Sequence, residues 1–363
     1  VRLDRYVAGV FAGFFSLAFF LLVGLFVVVD AIGNADEYLE AAREVPGMAG
    51  TGVVGLALRY YACSVPFYFL QVAPFVTLIS ACAAASRLNR GGELVPMVAA
   101  GRSLQRVATP LFGGGLLVAL AMLLVREGTL PRLRDLRDQM DGVLHHQRLE
   151  RICDDVVALG RGGEFLLARR FYRDRDRLEG VRILRNPRDE EWIFAEVVER
   201  REAGPHGPGW YVEGGRVTPG SGSGAEVTSL EFLPELPVSP EEIYLAHKGE
   251  REPLDLSFHE LSSLAGRDPA RLRYQTLLHS FLTFPLANVV LLLLGLPFCL
   301  RLERRGRAEG IVVACTLCVV YFAVDLALAD LGGRGVLGPL LGSWAPLVLF
   351  GSLGIVLFDG MRT

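Results

Sequence analysis

Apolar residues gather in long uncharged blocks at the two ends of the chain, and the middle reads as ordinary polar protein. Val7 to Val29 is 23 residues without a charge, and a helix needs about 20 to cross a hydrocarbon core. Similar blocks at about 60–85, 107–125, 276–300, 308–330 and 336–358 bring the predicted spans to six. The fourth of them holds LANVVLLLLGLPFCL, the most lipid-like stretch in the chain. Arg2 and Arg5 precede the first block, as in a signal peptide. The block is too long for that, and Asp30, Asp36 and Glu37 follow where a small-residue cleavage site would stand. It predicts an uncleaved first helix.

Residues 127–273 follow a different rhythm. EFLLARRF, RLEGVRIL, WIFAEVVE, WYVEGGRV and EVTSLEFL recur between turn signals such as GRGG, NPRDEE, GPHGPG and GSGSG. Alternation is partial, as in Ile193, Ala195, Val197. One apolar face per strand predicts two sheets, or one curled sheet, packed face to face. Helical patterns at PRLRDLRDQMDG and at SFHELSSLAG with PARLRYQTLLH join this β-region to the third and fourth spans.

Composition sharpens this division. The chain has 363 residues, 51% hydrophobic and 21% charged, with a net charge of −3. A purely soluble enzyme is excluded, and nothing points to nucleic acid. Of 37 basic residues only Lys248 is a lysine. The six cysteines form no disulfide framework: five lie in apolar runs and Cys153 stands alone. Arginine decides orientation. Arg2, Arg5, Arg87, Arg90, Arg102, Arg106, Arg301, Arg304, Arg305, Arg307 and Arg362 flank one side of the spans, against Arg43, Arg59 and Arg334 on the other. Both termini are therefore expected in the cytoplasm and 127–273 outside it.

No phosphate-cradling GxxxxGK[ST] occurs, so hydrolysis by the usual P-loop route has no residues to carry it. CTLC at 315–318 has a redox or metal spacing but lies inside one span, where small residues on a helix face are the plainer reading. Asp325 in YFAVDLALAD leaves two readings open: a carboxylate facing a cavity or partner within the span, or a span that ends early. Asn288, His279 and Gln71 are weaker polar signals of the same kind.

The most informative stretch is SRLNRGGELVPMVAAGRSLQR, 86–106. Asn89, Gly91 and Gly92 end the preceding helix, and Glu93 to Ala100 can form a short one with the acid at its start. Gly101 suits a left-handed cap, Arg102 follows, and Pro96 falls in the first turn. Leu94, Val95, Met97 and Val98 make this helix too apolar to face water, so it docks on a bilayer surface or in a partner's groove.

LDRYV at the first span, RLNRGGELVPMVAAG after the second, and two three-span blocks around a β-insertion resemble the LptF/LptG permease family. The resemblance runs the length of the chain. It implies an α-helical membrane protein with six transmembrane helices plus an inserted all-β, jellyroll-like periplasmic domain. Residues 1–142 and 256–363 would then carry the spans and 143–255 the β-domain. The implied role is the permease subunit of an inner-membrane exporter of lipopolysaccharide or a related glycolipid, neither enzymatic itself nor dependent on a cofactor. Its partners would be a second LptF/LptG-type subunit, a cytoplasmic ABC ATPase dimer, a bitopic LptC-like protein and a periplasmic LptA-like bridge.

The same resemblance makes 93–101 the ATPase-coupling helix, with Glu93, Leu94, Met97, Val98, Ala100, Gly101 and Arg102 as its working residues. It places Asp30, Arg59, Asp325, Ile193, Ala195 and Val212 along the substrate path. Asp30 departs from the basic residue often found at that end of the first span. Phosphate contacts would then fall to the partner subunit, or to Arg43 or Arg59, or the lipid would be differently charged. The F-type and G-type assignments both stay open. The competing readings are a membrane-anchored periplasmic adaptor and a lipid-modifying enzyme; the latter lacks any visible cluster of acid, base or metal groups.

Overall fold

The computed structural model describes residues 2–44, 51–146, 151–160, 164–186, 191–218, 228–269, 271–300 and 307–361. GSGSG and the loop arginines Arg301, Arg304, Arg305 and Arg362 lie outside them. Eleven α-helices and six strands follow in order. They are α1 (Arg2–Gly33), α2 (Ala35–Glu44), α3 (Thr51–Arg90), α4 (Leu94–Ala99), α5 (Leu104–Leu124) and α6 (Leu130–His146). Then come β1 (Ile152–Leu159), β2 (Phe165–Tyr172), β3 (Arg177–Asn186), β4 (Glu191–Arg201), β5 (Gly209–Thr218) and β6 (Thr228–Leu233). Last are α7 (Pro240–Arg251), α8 (Phe258–Arg267), α9 (Leu272–Cys299), α10 (Arg307–Gly333) and α11 (Pro339–Asp359). Six helical stretches are long and apolar enough to cross a membrane, in the expected places. The described chain forms two compact units: Val1–Gly33 with Ser64–Pro131 and Arg271–Thr363, and Asn34–Cys63 with Arg132–Ala270.

In the first unit α9 is the central helix, packed against α5, α10 and α11. Small residues set these approaches. A side chain at Gly115 would strike Leu292, one at Gly295 would strike Leu78, and one at Gly354 would strike Leu293. Backbones come close where no Cβ intervenes, which is how helices associate when lipid supplies no hydrophobic drive between them. Gly114 likewise faces the Phe11 ring. By contrast, only 6% of the apolar stretch of α1 is buried. Leu17, Phe20, Leu21 and Ile32 stand outward, as suits lipid or a further helix.

The second unit holds one antiparallel sheet in chain order, β1 to β6, open at both edges. Five of its strands lie where the sequence pattern expects them, and all belong to one sheet rather than two. The sixth, β1, is interrupted by Asp154-Asp155 and escapes the apolar pattern. The buried face reads across neighbours in register: Cys153, Phe171, Leu178, Val198 and Val212 form one row. Ala158, Leu166, Ile183 and Ile193 form another.

Between these rows β1 to β4 each lose their alternation by one residue. Buried positions run 153, 156, 158 in β1; 166, 168, 171 in β2; 178, 181, 183 in β3; 193, 195, 198 in β4. The break has a backbone cause. Asp155, Gly180 and Gly214 take positive φ of 53°, 62° and 66°, and Gly180 and Gly214 face Arg169 and Glu196 closely. The three positions are aligned across the sheet, and the register of β1 to β5 runs unbroken past them, so they turn the strands locally without inserting a residue. They crease it while keeping apolar side chains on one face. That is why alternation in the sequence is only partial.

Residues 34–63 and α6 fold with this sheet. His145 Nδ1 lies 2.7 Å from Glu37 Oε2, the Tyr38 and Tyr61 hydroxyls are 2.8 Å apart, and the His145 ring meets both Tyr38 and Tyr60 edge-on.

Candidate functional site

The short helix of the 86–106 loop is built by two identical helix endings. At the end of α3, Gly92 has φ 69°. Its N–H donates to Asn89 O at 3.2 Å, and the Glu93 N–H donates to Leu88 O at 3.0 Å. At the end of α4, Gly101 has φ 81°. Its N–H donates to Val98 O at 2.9 Å, and the Arg102 N–H donates to Met97 O at 3.3 Å. Each pair of bonds is a Schellman motif, which needs a left-handed residue just past the helix. Glycine takes that conformation without steric cost. Ser103 then caps α5, its hydroxyl accepting from the Arg106 N–H at 3.3 Å. Pro96 lies in the first turn of α4, where its absent N–H leaves nothing unsatisfied.

Packing then divides the predicted coupling residues. Leu94 is fully buried in the chain's own core, and Met97 and Val98 are half-buried against that core. They anchor α4 rather than present it. The face left open is Val95, Pro96, Ala99 and Ala100. Glu93 does not cap the helix with its side chain; its Oε1 accepts from the Tyr6 hydroxyl at 3.2 Å. Arg102 approaches Asp4 at 3.9 Å, and Gln105 Nε2 donates to Phe358 O at 3.2 Å. The start of α1, the loop, the start of α5 and the end of α11 thus meet at one end of the helical unit.

The remaining candidates are placed separately. Ile193, Ala195 and Val212 lie together on the buried face of the sheet. That face is closed in this structure, filled by Phe171, Leu178 and Val198. Asp30, Arg59 and Asp325 lie on α1, α3 and α10. Because α10 continues to Gly333, the span does not end early, and Asp325 is a half-buried carboxylate within it. Asn288 makes a helix–helix contact: its Nδ2 donates to Pro285 O at 2.8 Å and touches Met122 Sδ of α5 at 3.2 Å.

Sequence reasoning missed an ionic network in the second unit. Arg134 makes a two-pronged bond to Glu260, both arms at 2.8 Å, and Arg137 meets Asp255 at 3.0 Å. Lys248, the lone lysine, bridges Asp138 at 3.0 Å and Glu252 at 2.8 Å with only 11% of its side chain exposed. The Tyr244 hydroxyl donates to Asp138, and Arg173 lies over the Tyr244 ring at 3.8 Å. A cavity of about 130 Å³ opens beside Arg137, Lys248 and His247. Burial disfavours the Glu252 charge, yet the Lys248 ammonium overrides it and holds this carboxyl down at about 2. Burial, then the Glu252 charge, pushes Asp255 up to about 7 against the pull of Arg137. The legible signals were the capping boxes that start the two helices involved, Ser239 with Glu242 and Ser257 with Glu260.

Comparison with known families matches residues 5–359 to the lipopolysaccharide export system permeases LptF/LptG. The chain belongs to the LptF/LptG family. It is accordingly a permease subunit of a lipopolysaccharide export transporter, a transport component rather than a catalytic enzyme. Family and six apolar helices together make it a multi-pass inner-membrane protein. No curated protein matches this permease.

Proposed function

We propose that this permease extracts lipopolysaccharide or a related glycolipid from the inner membrane under the drive of a separate cytoplasmic ATPase, docked on α4. The observation that carries this reading is the construction of α4. Two Schellman endings and a buried Leu94 hold the helix rigidly on the bundle, while Val95, Pro96 and Ala99 face outward with no polar group among them. A rigid apolar face beside an acid suits a groove in a partner protein. In this reading the end carrying Tyr6, Glu93 and Phe358 is cytoplasmic, in keeping with the arginine distribution.

A second permease subunit would cover the outward face of α1 in its second half, at Phe20, Leu21 and Ile32. The sheet would lie in the periplasm and receive acyl chains on the face of Ile193, Ala195 and Val212, opening along its crease. Its β6 edge, paired only to β5, could be extended by a strand of an LptC-like partner leading to an LptA-like bridge. The test is purification of the complex in detergent. Co-purifying ATPase lost on Val95→Asp supports the reading. Full ATPase retention with full lipid export by that variant overturns it, as does a reporter scan placing residue 200 in the cytoplasm.

A further inference from the structure

A groove of about 460 Å³ runs along the first half of α1 and against the last turns of α3. Its two ends differ chemically. Arg5, Tyr6 and Arg87 form the mouth; Gly9, Gly13 and Leu17 form the floor. Arg5 to Leu17 is twelve helical steps, roughly 18 Å at about 1.5 Å per residue. That is close to half of a hydrocarbon core of about 30 Å. A cationic mouth with an apolar floor one leaflet long is the shape and polarity of a membrane lipid. We propose that this groove is a binding site for an anionic glycerophospholipid, its phosphate at Arg5 and Arg87 and one acyl chain along Gly9 and Gly13.

Three observations support the assignment. Neither Arg5 nor Arg87 has an ion-pair partner among the described residues, and both are exposed. Glu93, bonded to Tyr6, is one carboxylate at the mouth against the two guanidinium groups, and Asp4 faces Arg102. The mouth therefore keeps a net positive charge for an outside anion. At Gly9 and Gly13 a Cβ would meet nothing within 4 Å, so the floor is open to an added chain.

The same glycines have the spacing of a helix-packing motif, and a second helix is the competing occupant. An apolar helix seated there would bury two guanidinium groups without partners, which is costly in a membrane. A phosphate headgroup satisfies both with charge-assisted bonds. The proposal does not depend on which lipid is exported, nor on the ATPase reading. Because Tyr6 lines the mouth and bonds Glu93, an occupied groove would sit directly against the start of α4.

The experiment uses the full chain with the subunits it carries, in vesicles containing acyl-diazirine phosphatidylglycerol or, separately, acyl-diazirine phosphatidylcholine. Adducts are mapped by mass spectrometry. Phosphatidylglycerol should label the peptide spanning residues 5–17 in clear excess over phosphatidylcholine. Arg5→Ala with Arg87→Ala should reduce that label by about fivefold per arginine, the effect of one cation near an anionic surface. Arg5→Lys with Arg87→Lys should keep most of it, which separates charge from folding. Millimolar inorganic phosphate should leave it unchanged. Equal labelling by both lipids, or labelling indifferent to the alanine pair, overturns the site. So does a Gly13→Cys variant that cross-links to a partner helix while lipid adducts are absent.

Discussion

The Tyr6 hydroxyl donates a 3.2 Å hydrogen bond to Glu93, tying the start of α1 to the start of α4 across 87 positions of sequence. Glu93 therefore already has a partner inside the chain, and its substitution has two components. Tyr6→Phe removes only the internal bond, which is exposed and of small net worth. Glu93→Ala also removes whatever the acid gives the ATPase. We expect ATPase retention on the purified complex to fall at least tenfold for Glu93→Ala and less than threefold for Tyr6→Phe. Equal losses would mean that Glu93 acts only by orienting α1.

Leu94 and Val95 are neighbours with opposite duties. Leu94→Ala empties a fully buried position and should destabilise the helical unit by about 2–5 kcal/mol, seen as a lower melting temperature in detergent. Val95→Asp should leave that melting temperature nearly unchanged and release the ATPase. If Leu94→Ala melts like the parent, the packing of α4 onto the core is wrong.

Asp255 and Glu252 pull the pH dependence of the second unit in opposite directions. The folded state raises Asp255 to about 7, so its contribution is whole below an unfolded value of about 4 and is lost as pH rises through 7. Glu252 is lowered to about 2, so its contribution is present at neutral pH and disappears only in strong acid. Hydrogen-exchange protection of α7, corrected for intrinsic rates, should therefore decline between about pH 4 and 7. Asp255→Asn should flatten the decline. A flat profile for the unaltered protein would count against the shared burial of these two carboxyls.

Gly214 carries the crease of the sheet where Glu196 leaves no room for a side chain. Gly214→Val should cost about 1–3 kcal/mol from the positive φ alone, visible as earlier thermal loss of the sheet's circular dichroism. Gly207, also at positive φ but with open space around it, should lose less on the smaller change to Asn. Similar melting of both variants would argue that the crease is not a defined feature.

Much of this protein was legible without coordinates because a bilayer imposes a one-dimensional rule. A span must be apolar for about 20 residues, so spans can be counted along the chain. The α4 boundaries were legible for a similar reason: Gly92 and Gly101 are local backbone requirements, and local requirements leave local marks. β1 was missed because Asp154-Asp155 breaks the apolar pattern just where the sheet bends, and that bend is shared with Gly180 on β3 and Gly214 on β5.

The sequence by itself determined the spans, the β-rich insertion and the short loop helix, since each follows from residues adjacent in the chain. Only the tertiary structure decided which side of α4 is free. Leu94 and Val95 are equally apolar on paper, and burial of Leu94 in the core that also holds Leu88 and Leu104 separates them. The same holds for Lys248, whose role depends on Asp138 standing 110 positions away. Contacts between distant residues depend on how helices and strands pack. No pattern within a single segment records that.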